Sequence, residues 1–228
     1  MTQNQSVADL RKDYRVSTLD RHQVCDDPIE QFQRWWQDVL DADVLEPNGM
    51  TLATCTPDGY PSARIVLLKG FDARGFCFYT NYTSQKGQEL LRNPHAALVF
   101  WWEPLERQVR IEGNVAQLSP EESDAYFNSR PKGSRIGAWA SPQSQEIDGR
   151  DVLANNQAAL EKKYADTEEV PRPSHWGGFR LEPVRIEFWQ GRSSRLHDRL
   201  CYIKHSPKDP GQIHQPNTPS WKIVRLAP

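Results

Sequence analysis

An antiparallel β-barrel with helical insertions is the fold class that this sequence predicts, on three observations. From Met50 onward, β-branched and aromatic residues gather in short runs of strand length, the pattern of a pleated, half-buried surface. Turn residues separate these runs: Pro57-Asp58-Gly59 and the segment 72–75 are short enough to join antiparallel partners. Helical stretches are few, and short, regularly spaced strands of this kind close as a mainly-β barrel. The 228 residues suit one large domain and suffice to bury a sizeable core.

Each element has its own signal. Residues 1–26 are polar and read as a flexible N-terminal arm ahead of a single domain over 27–228. Asp27 caps the first helix, Pro28 fits its first turn and Glu30 completes a capping-box pattern. Phe32, Trp35, Trp36, Val39 and Leu40 recur at helical spacing and give that helix one apolar face. Strands are predicted over 51–56, 63–69, 76–80, 96–102 and 107–118. In the last of these, Val109, Ile111 and Val115 alternate with Gln108, Arg110, Glu112 and Asn114, so one face is core and the other is available for polar work. Helices interrupt at 84–92, at 119–129 behind the Ser119/Glu122 capping box, and at 148–164. Strands return over 178–181, 184–190, 195–203 and 221–226, with a Pro-rich loop at 206–220 that carries no structural signal of its own.

Composition excludes several function classes. Lys and Arg number 28 against 30 Asp and Glu, a net charge of −2, and no continuous basic stripe is visible, so nucleic acid is the weakest partner. A chain that is 25% charged and 10% aromatic is neither disordered nor fibrous. No apolar run approaches the roughly 18 residues of a membrane span, and residues 1–13 lack the apolar segment of a secretory signal. Cys25, Cys55, Cys77 and Cys201 show no CxxC spacing and no paired His, which points to reduced thiols, no metal and a cytoplasmic setting. There is no GxGxxG, GxxxxGK[ST], HExxH or GxSxG, so the chemistries tied to those motifs lose their sequence support.

What remains is a set of basic clusters at element ends. Arg64 and Lys69 bracket the apolar run Ile65-Val66-Leu67-Leu68, an arrangement that also fits ordinary strand ends reaching water. Tyr79 and Thr80 lead into Ser84-Gln85-Lys86, a strand running into a helix N-terminus, where backbone N–H groups attract phosphate and where Ser or Thr also serve as plain caps. The segment 129–135 carries Arg130, Lys132 and Arg135 with no acid, and it reads either as a solvated loop or as an anion site. From Trp189 to Arg199, a strand over 195–199 would set Arg195, His197 and Arg199 on one face. Three such groups repel one another unless an anion or acidic partners sit among them. Together the clusters imply a phosphorylated ligand, because guanidinium groups suit phosphate oxygens.

The residues that carry these clusters resemble the pyridoxine (pyridoxamine) 5′-phosphate oxidase family. The matching segments are RIVLLK (64–69), FYTN (78–81), ERQVR (106–110), the 129–144 stretch, WGGFR (176–180), IEFWQG (186–191), RLHDR (195–199) and the terminal RLAP. They run in family order from about residue 25 to the last. The resemblance implies an FMN-binding split β-barrel homodimer with FMN at the subunit interface, acting on phosphorylated B6 vitamers with O2. It implies that Arg64 and Lys86 meet the FMN phosphate, with Gln85 beside them, while Ile65, Val66, Leu67 and Leu68 line the flavin ring. Tyr79, Thr80, Gln108, Gln143, Ser144, Trp189 and Arg199 match further flavin contacts. Lys69, Tyr126, Arg130 and Ser134 match the clamp on the substrate phosphate, and Lys69 also borders the flavin. Arg195 and His197 match the catalytic pair over the substrate ring, with Leu196 between them, and Arg11 and Tyr14 match a segment that closes over the site.

One departure stands out: Gln85 replaces the arginine of the family's Ser-Arg-Lys. The phosphate site loses a cation, so weaker FMN retention is predicted. Two competing readings follow from the same residues. A phenazine-type flavin oxidase would use the flavin contacts without the phosphate clamp, and the full set of clamp residues argues against it. A non-catalytic carrier of FMN or pyridoxal phosphate would bind flavin without turnover.

Overall fold

The computed structural model describes residues 6, 7, 10, 12–205 and 221–228. Arg11 and the 206–220 loop, both singled out from the sequence, lie outside the described residues. In chain order the elements are α1 (Pro28–Asp41), β1 (Gly49–Cys55), β2 (Pro61–Leu67), β3 (Gly70–Asp72), β4 (Gly75–Asn81), α2 (Gln85–Arg92), β5 (His95–Trp102) and β6 (Arg107–Gln117). They continue with α3 (Pro120–Ser129), α4 (Lys132–Ala140), α5 (Arg150–Lys163), β7 (Trp176–Gln190), β8 (Asp198–Lys204) and β9 (Trp221–Arg225). The chain divides into two compact units, one of residues 1–47, 99–111 and 184–228 and another of 48–98 and 112–183. Strands β5, β6 and β7 contribute residues to both.

In the first unit, Asp27 starts α1 by accepting from the Ile29 and Glu30 N–H groups at 2.7 and 3.2 Å, with Pro28 in the first turn where its missing N–H costs nothing. The apolar face read from the sequence is the buried one. Phe32 packs on Phe100 and Trp102, with ring centroids 5.3 and 5.9 Å away. Trp35 meets Phe188 edge-on at 5.0 Å and carries the Arg107 guanidinium on its face at 4.4 Å. Each such side chain, once buried, contributes roughly 1.5–3 kcal/mol. Strand β8 pairs antiparallel with β7 from Gln190↔Asp198 to Arg185↔Ile203, and β9 pairs with β8.

The sheet runs in the order β2-β1-β5-β6-β7-β4-β3, and the second unit holds β1 to β4 with parts of β5, β6 and β7. Strands β1 and β2 form a hairpin closed at Cys55↔Pro61, whose turn uses Gly59 at φ 97°. The β3–β4 hairpin turns at Gly75, φ 129°, where a Cβ would collide with the Leu181 carbonyl; only glycine meets both demands. Leu52, Phe76, Phe78, Leu98, Phe127, Phe179 and Leu181 are buried in this unit. The Ser84 hydroxyl caps α2 through the Gly87 N–H, and Ser119 with Glu122 forms the capping box of α3.

Four sequence expectations change. Residues 132–135, read as part of a basic segment over 129–135, instead open the helix α4, because Pro131 stands at its N-cap and Ile136 and Ala140 turn into the core. The segments 178–181 and 184–190 are one strand, β7, that runs through Pro183. The proline is tolerated because β4 pairs only up to Leu181 and β8 only from Arg185, so its missing N–H breaks neither ladder. Residues 70–72 add a short strand. Finally, the strand predicted over 195–203 begins only at Asp198. Residues 193–195 form a 3-10 turn with Ser194 and Arg195 left-handed, at φ 55° and 61°. Strand alternation therefore does not put Arg195, His197 and Arg199 on one face.

Candidate active site

The second unit contains a cavity of about 670 Å³ whose lining, among the described residues, has four cations and no acidic side chain. Strand β2 supplies Arg64 and the backbone run Ile65-Val66-Leu67, and Lys69 follows it. Ile65 is 69% exposed although apolar. Strand β4 supplies Tyr79 and Thr80, and the first turn of α2 supplies Lys86. Thr80 Oγ1 donates to Gln143 Oε1 at 3.0 Å, and Lys86 Nζ donates to the same oxygen at 3.2 Å. Burial, then the charge of Arg64, pulls the Lys86 pKa down. From α3 and its C-cap come Tyr126 and Arg130; the Arg130 guanidinium lies over the Trp176 ring at 4.7 Å. Its Nη1 is buried without a hydrogen-bond partner, and burial lowers its pKa. Tyr79 stacks on Tyr126 at 3.9 Å and is pushed up to about 12, mainly by burial, so it stays a neutral phenol.

The first unit has its own cavity of about 750 Å³, lined among others by Tyr14, Trp101, Gln108, Trp189, Arg195 and His197. The His197 ring lies 4.5 Å from Trp189 and 5.8 Å from Tyr14. Its Nδ1 accepts the Arg192 N–H at 3.1 Å. Burial, then Arg195, lowers its pKa, so the neutral ring carries its proton on Nε2. Tyr14 is held there because Glu106 Oε2 accepts from the N–H groups of Arg15 and Val16 at 2.8 and 2.9 Å.

Residues 37–164 match the model of the pyridoxamine 5′-phosphate oxidase family, and residues 176–228 match the pyridoxine 5′-phosphate oxidase C-terminal dimerisation region. The chain belongs to this family. A pyridoxine/pyridoxamine 5′-phosphate oxidase of Cyanothece is 56% identical over 98% of this chain and 99% of that protein. One of Gloeothece citriformis is 61% identical over 87% and 92%. Among solved structures, PhzG of Burkholderia lata in complex with tetrahydrophenazine-1-carboxylic acid has a TM-score of 0.83 at 32% identity, covering 93% of this chain and 99% of that one. A pyridoxamine 5′-phosphate oxidase-related FMN binding protein of Nostoc punctiforme shares the fold, with TM-score 0.65, 16% identity and 89% and 98% coverage. The fold is thus the predicted antiparallel split barrel, and the chain carries the region through which the family dimerises. As a family member it is an FMN-dependent oxidase that converts pyridoxamine or pyridoxine 5′-phosphate to pyridoxal 5′-phosphate. No helix among the described residues is long and apolar enough to cross a membrane.

The residues present fit FMN and a phosphorylated substrate. A buried guanidinium nitrogen without a partner, beside three more cations and no acid, is a donor set that phosphate completes. Of the residues expected from the sequence, Arg64, Ile65, Val66, Leu67, Lys69, Tyr79, Thr80, Lys86, Tyr126, Arg130, Ser134 and Gln143 converge on the second unit's cavity. Tyr14, Gln108, Trp189, Arg195 and His197 converge on the first unit's. The other described ones border neither cavity. Leu68 is buried and donates its N–H to the Asn48 carbonyl. Gln85 turns its amide to Glu89 at 2.9 Å. Ser144 is exposed with φ 68°, and Leu196 is 71% exposed. Arg199 is held by a bidentate pair with Glu187 at 2.9 and 3.0 Å and donates to the Ala227 carbonyl at 2.8 Å.

Sequence reading passed over the buried acids that hold these cations and the arm: Glu89, Glu106 and Glu187. Glu89 left a local signal, at helical spacing from Gln85 and Lys86, while Glu106 and Glu187 were quoted only inside motifs. Trp176 under Arg130 was quoted only as part of a motif.

Proposed function

We propose that the cavity of the second unit holds both phosphates of the reaction. Arg64 and Lys86 take that of FMN, whose ring lies along residues 65–67 with Thr80 and Gln143 at its polar edge. Lys69, Tyr126, Arg130 and Ser134 take that of the substrate. The observation that carries this reading is the four-cation, acid-free lining with one unpartnered buried guanidinium nitrogen. The chemistry that FMN supplies when bound is two-electron oxidation of the substrate's C4′ carbon, with O2 as acceptor and H2O2 as product. The protein's part is position. A clamp on the remote phosphate fixes C4′ in register, an effect that can reach several kcal/mol. Arg195 covers the substrate ring, and the Nε2–H of neutral His197 donates to it and orients it, while Tyr14 of the arm closes the cavity from water.

Residues 27–228 act as a single FMN-binding domain in a homodimer with FMN at the subunit interface. This is supported by the dimerisation region and by the expected residues falling into two complementary sets, one in each cavity. A cytoplasmic setting accords with four cysteines outside any disulfide.

The test is to record the visible spectrum, saturate with FMN and follow aerobic product from pyridoxamine 5′-phosphate. Pyridoxal 5′-phosphate with equimolar peroxide is the expected result. Flavin bound without product would overturn it in favour of a carrier or a phenazine-type oxidase, the latter kept in view by the 32% identity to PhzG.

A further inference from the structure

We infer that Glu89 is the positioning residue for Arg64, holding its guanidinium ready for the FMN phosphate. This rests on the assignment of Arg64 to that phosphate. Glu89 lies on α2 with its side chain only 7% exposed and does not line the cavity. Its Oε2 accepts from Ser62 Oγ at 2.6 Å and from Thr54 Oγ1, and stands 3.3 Å from Arg64 Nη2. Its Oε1 accepts from Gln85 Nε2 at 2.9 Å. Arg64 closes the network: Nη2 donates to Ser62 Oγ at 2.6 Å, and Nη1 donates to Thr54 Oγ1 and to the Leu52 carbonyl at 3.3 Å. Both terminal nitrogens are thus tied to the protein.

A buried carboxylate is costly unless its partners compensate. Burial does push Glu89 upward, but donors Ser62, Thr54 and Gln85 and the charge of Arg64 outweigh it and bring the pKa to about 2. The group is therefore a permanent anion at any working pH. An anion behind the wall of a phosphate site still repels the ligand, so Coulomb's law alone favours its removal. Its retention makes sense if it holds a long, rotamer-rich arginine in one place and so removes an ordering cost from binding. The two accounts differ in sign.

Glu89→Gln in the full-length protein, stripped of flavin, separates them. FMN and riboflavin are titrated separately by quenching of flavin fluorescence. Positioning predicts that the Kd for FMN rises about tenfold, the size of one weakened charge-assisted bond, while that for riboflavin, which lacks the phosphate, stays put. Glu89→Asp should recover part of the loss. If Glu89→Gln does not fold, Ser62→Ala, which removes the hydroxyl shared by Arg64 and Glu89, should show a smaller loss confined to FMN. Unchanged or tighter FMN binding would overturn the inference, as would equal weakening of both flavins, the mark of a merely structural role. Wild-type protein that binds riboflavin as tightly as FMN would instead overturn the assignment of Arg64 to the phosphate, and the inference with it.

Discussion

The two cavities treat their cations differently. Of the four lining the second unit's cavity, only Arg64 has a carboxylate partner among the described residues, while Lys86 rests on neutral oxygens and Arg130 leaves one nitrogen unmatched there. In the first unit's cavity, Lys12 pairs with Glu103 at 2.5 Å and Arg192 stands 3.5 Å from Asp198; Arg195 alone has no acidic partner among the described residues. The contrast teaches what each surface is for. Cations left unneutralised and partly desolvated await an anion, whereas paired cations hold a shape. On the proposed reading, the second unit's cavity binds phosphate and the first unit's orients a ring.

That contrast breaks most visibly if its halves are mutated separately. Arg195→Leu and His197→Ala should each lower kcat by about 100-fold, the scale of a lost orienting or proton-handling group, with FMN still bound. If both keep near-normal turnover at full FMN occupancy, the first cavity is not where the ring is oriented. Arg130→Ala should act the other way. It removes a contact to a remote phosphate, so KM should rise by about 30-fold, the size of a charge-assisted bond, with kcat nearly unchanged. A fall in kcat at constant KM would move Arg130 from binding to chemistry.

How much of this was legible in the sequence follows the same physics. The α1, α2 and α3 starts could be read because caps are local: Asp27, Ser84 and Ser119 each satisfy N–H groups within three residues. Most strands could be read because their pleat repeats every two residues. Helix α4 could not, since Gly133 and Gly137 weaken its propensity and its basic residues mimic a loop. The turn at 193–195 was invisible because Ser194 and Arg195 adopt left-handed angles that their side chains do not advertise. The site itself came from family resemblance, not from periodicity. Its supporting acids were missed because Glu89 meets Arg64 across 25 residues and Glu187 meets Arg199 across 12, and no local pattern encodes such pairs.

Gln85 sharpens the comparison by adding a cation. Gln85→Arg should tighten FMN by about fivefold, a partly exposed charge near phosphate being worth roughly 1 kcal/mol. Its amide now donates to Glu89, so the arginine has a ready partner and does not have to displace Arg64. Unchanged or weaker binding in an FMN titration would sink the idea that this position limits flavin retention.

The smallest effect tests Arg195, the first cavity's cation without an acidic partner among the described residues. Burial is the larger cause of the lowered His197 pKa and Arg195 the smaller. In Arg195→Leu the His197 pKa, followed by NMR of its ring, should therefore rise yet stay below the ordinary value of about 6.5. The sign carries into stability. A folded-state pKa below the unfolded one means that the unfolded chain takes up the proton first, so the wild-type protein loses stability as pH falls from about 6.5 through the lowered value. Removing Arg195 narrows that window, and the acid side of a melting-temperature profile should flatten slightly. A His197 pKa that stays fixed or falls in the variant would show that the Arg195 charge does not reach the ring, and the pairing of these two residues over the substrate would lose its electrostatic support.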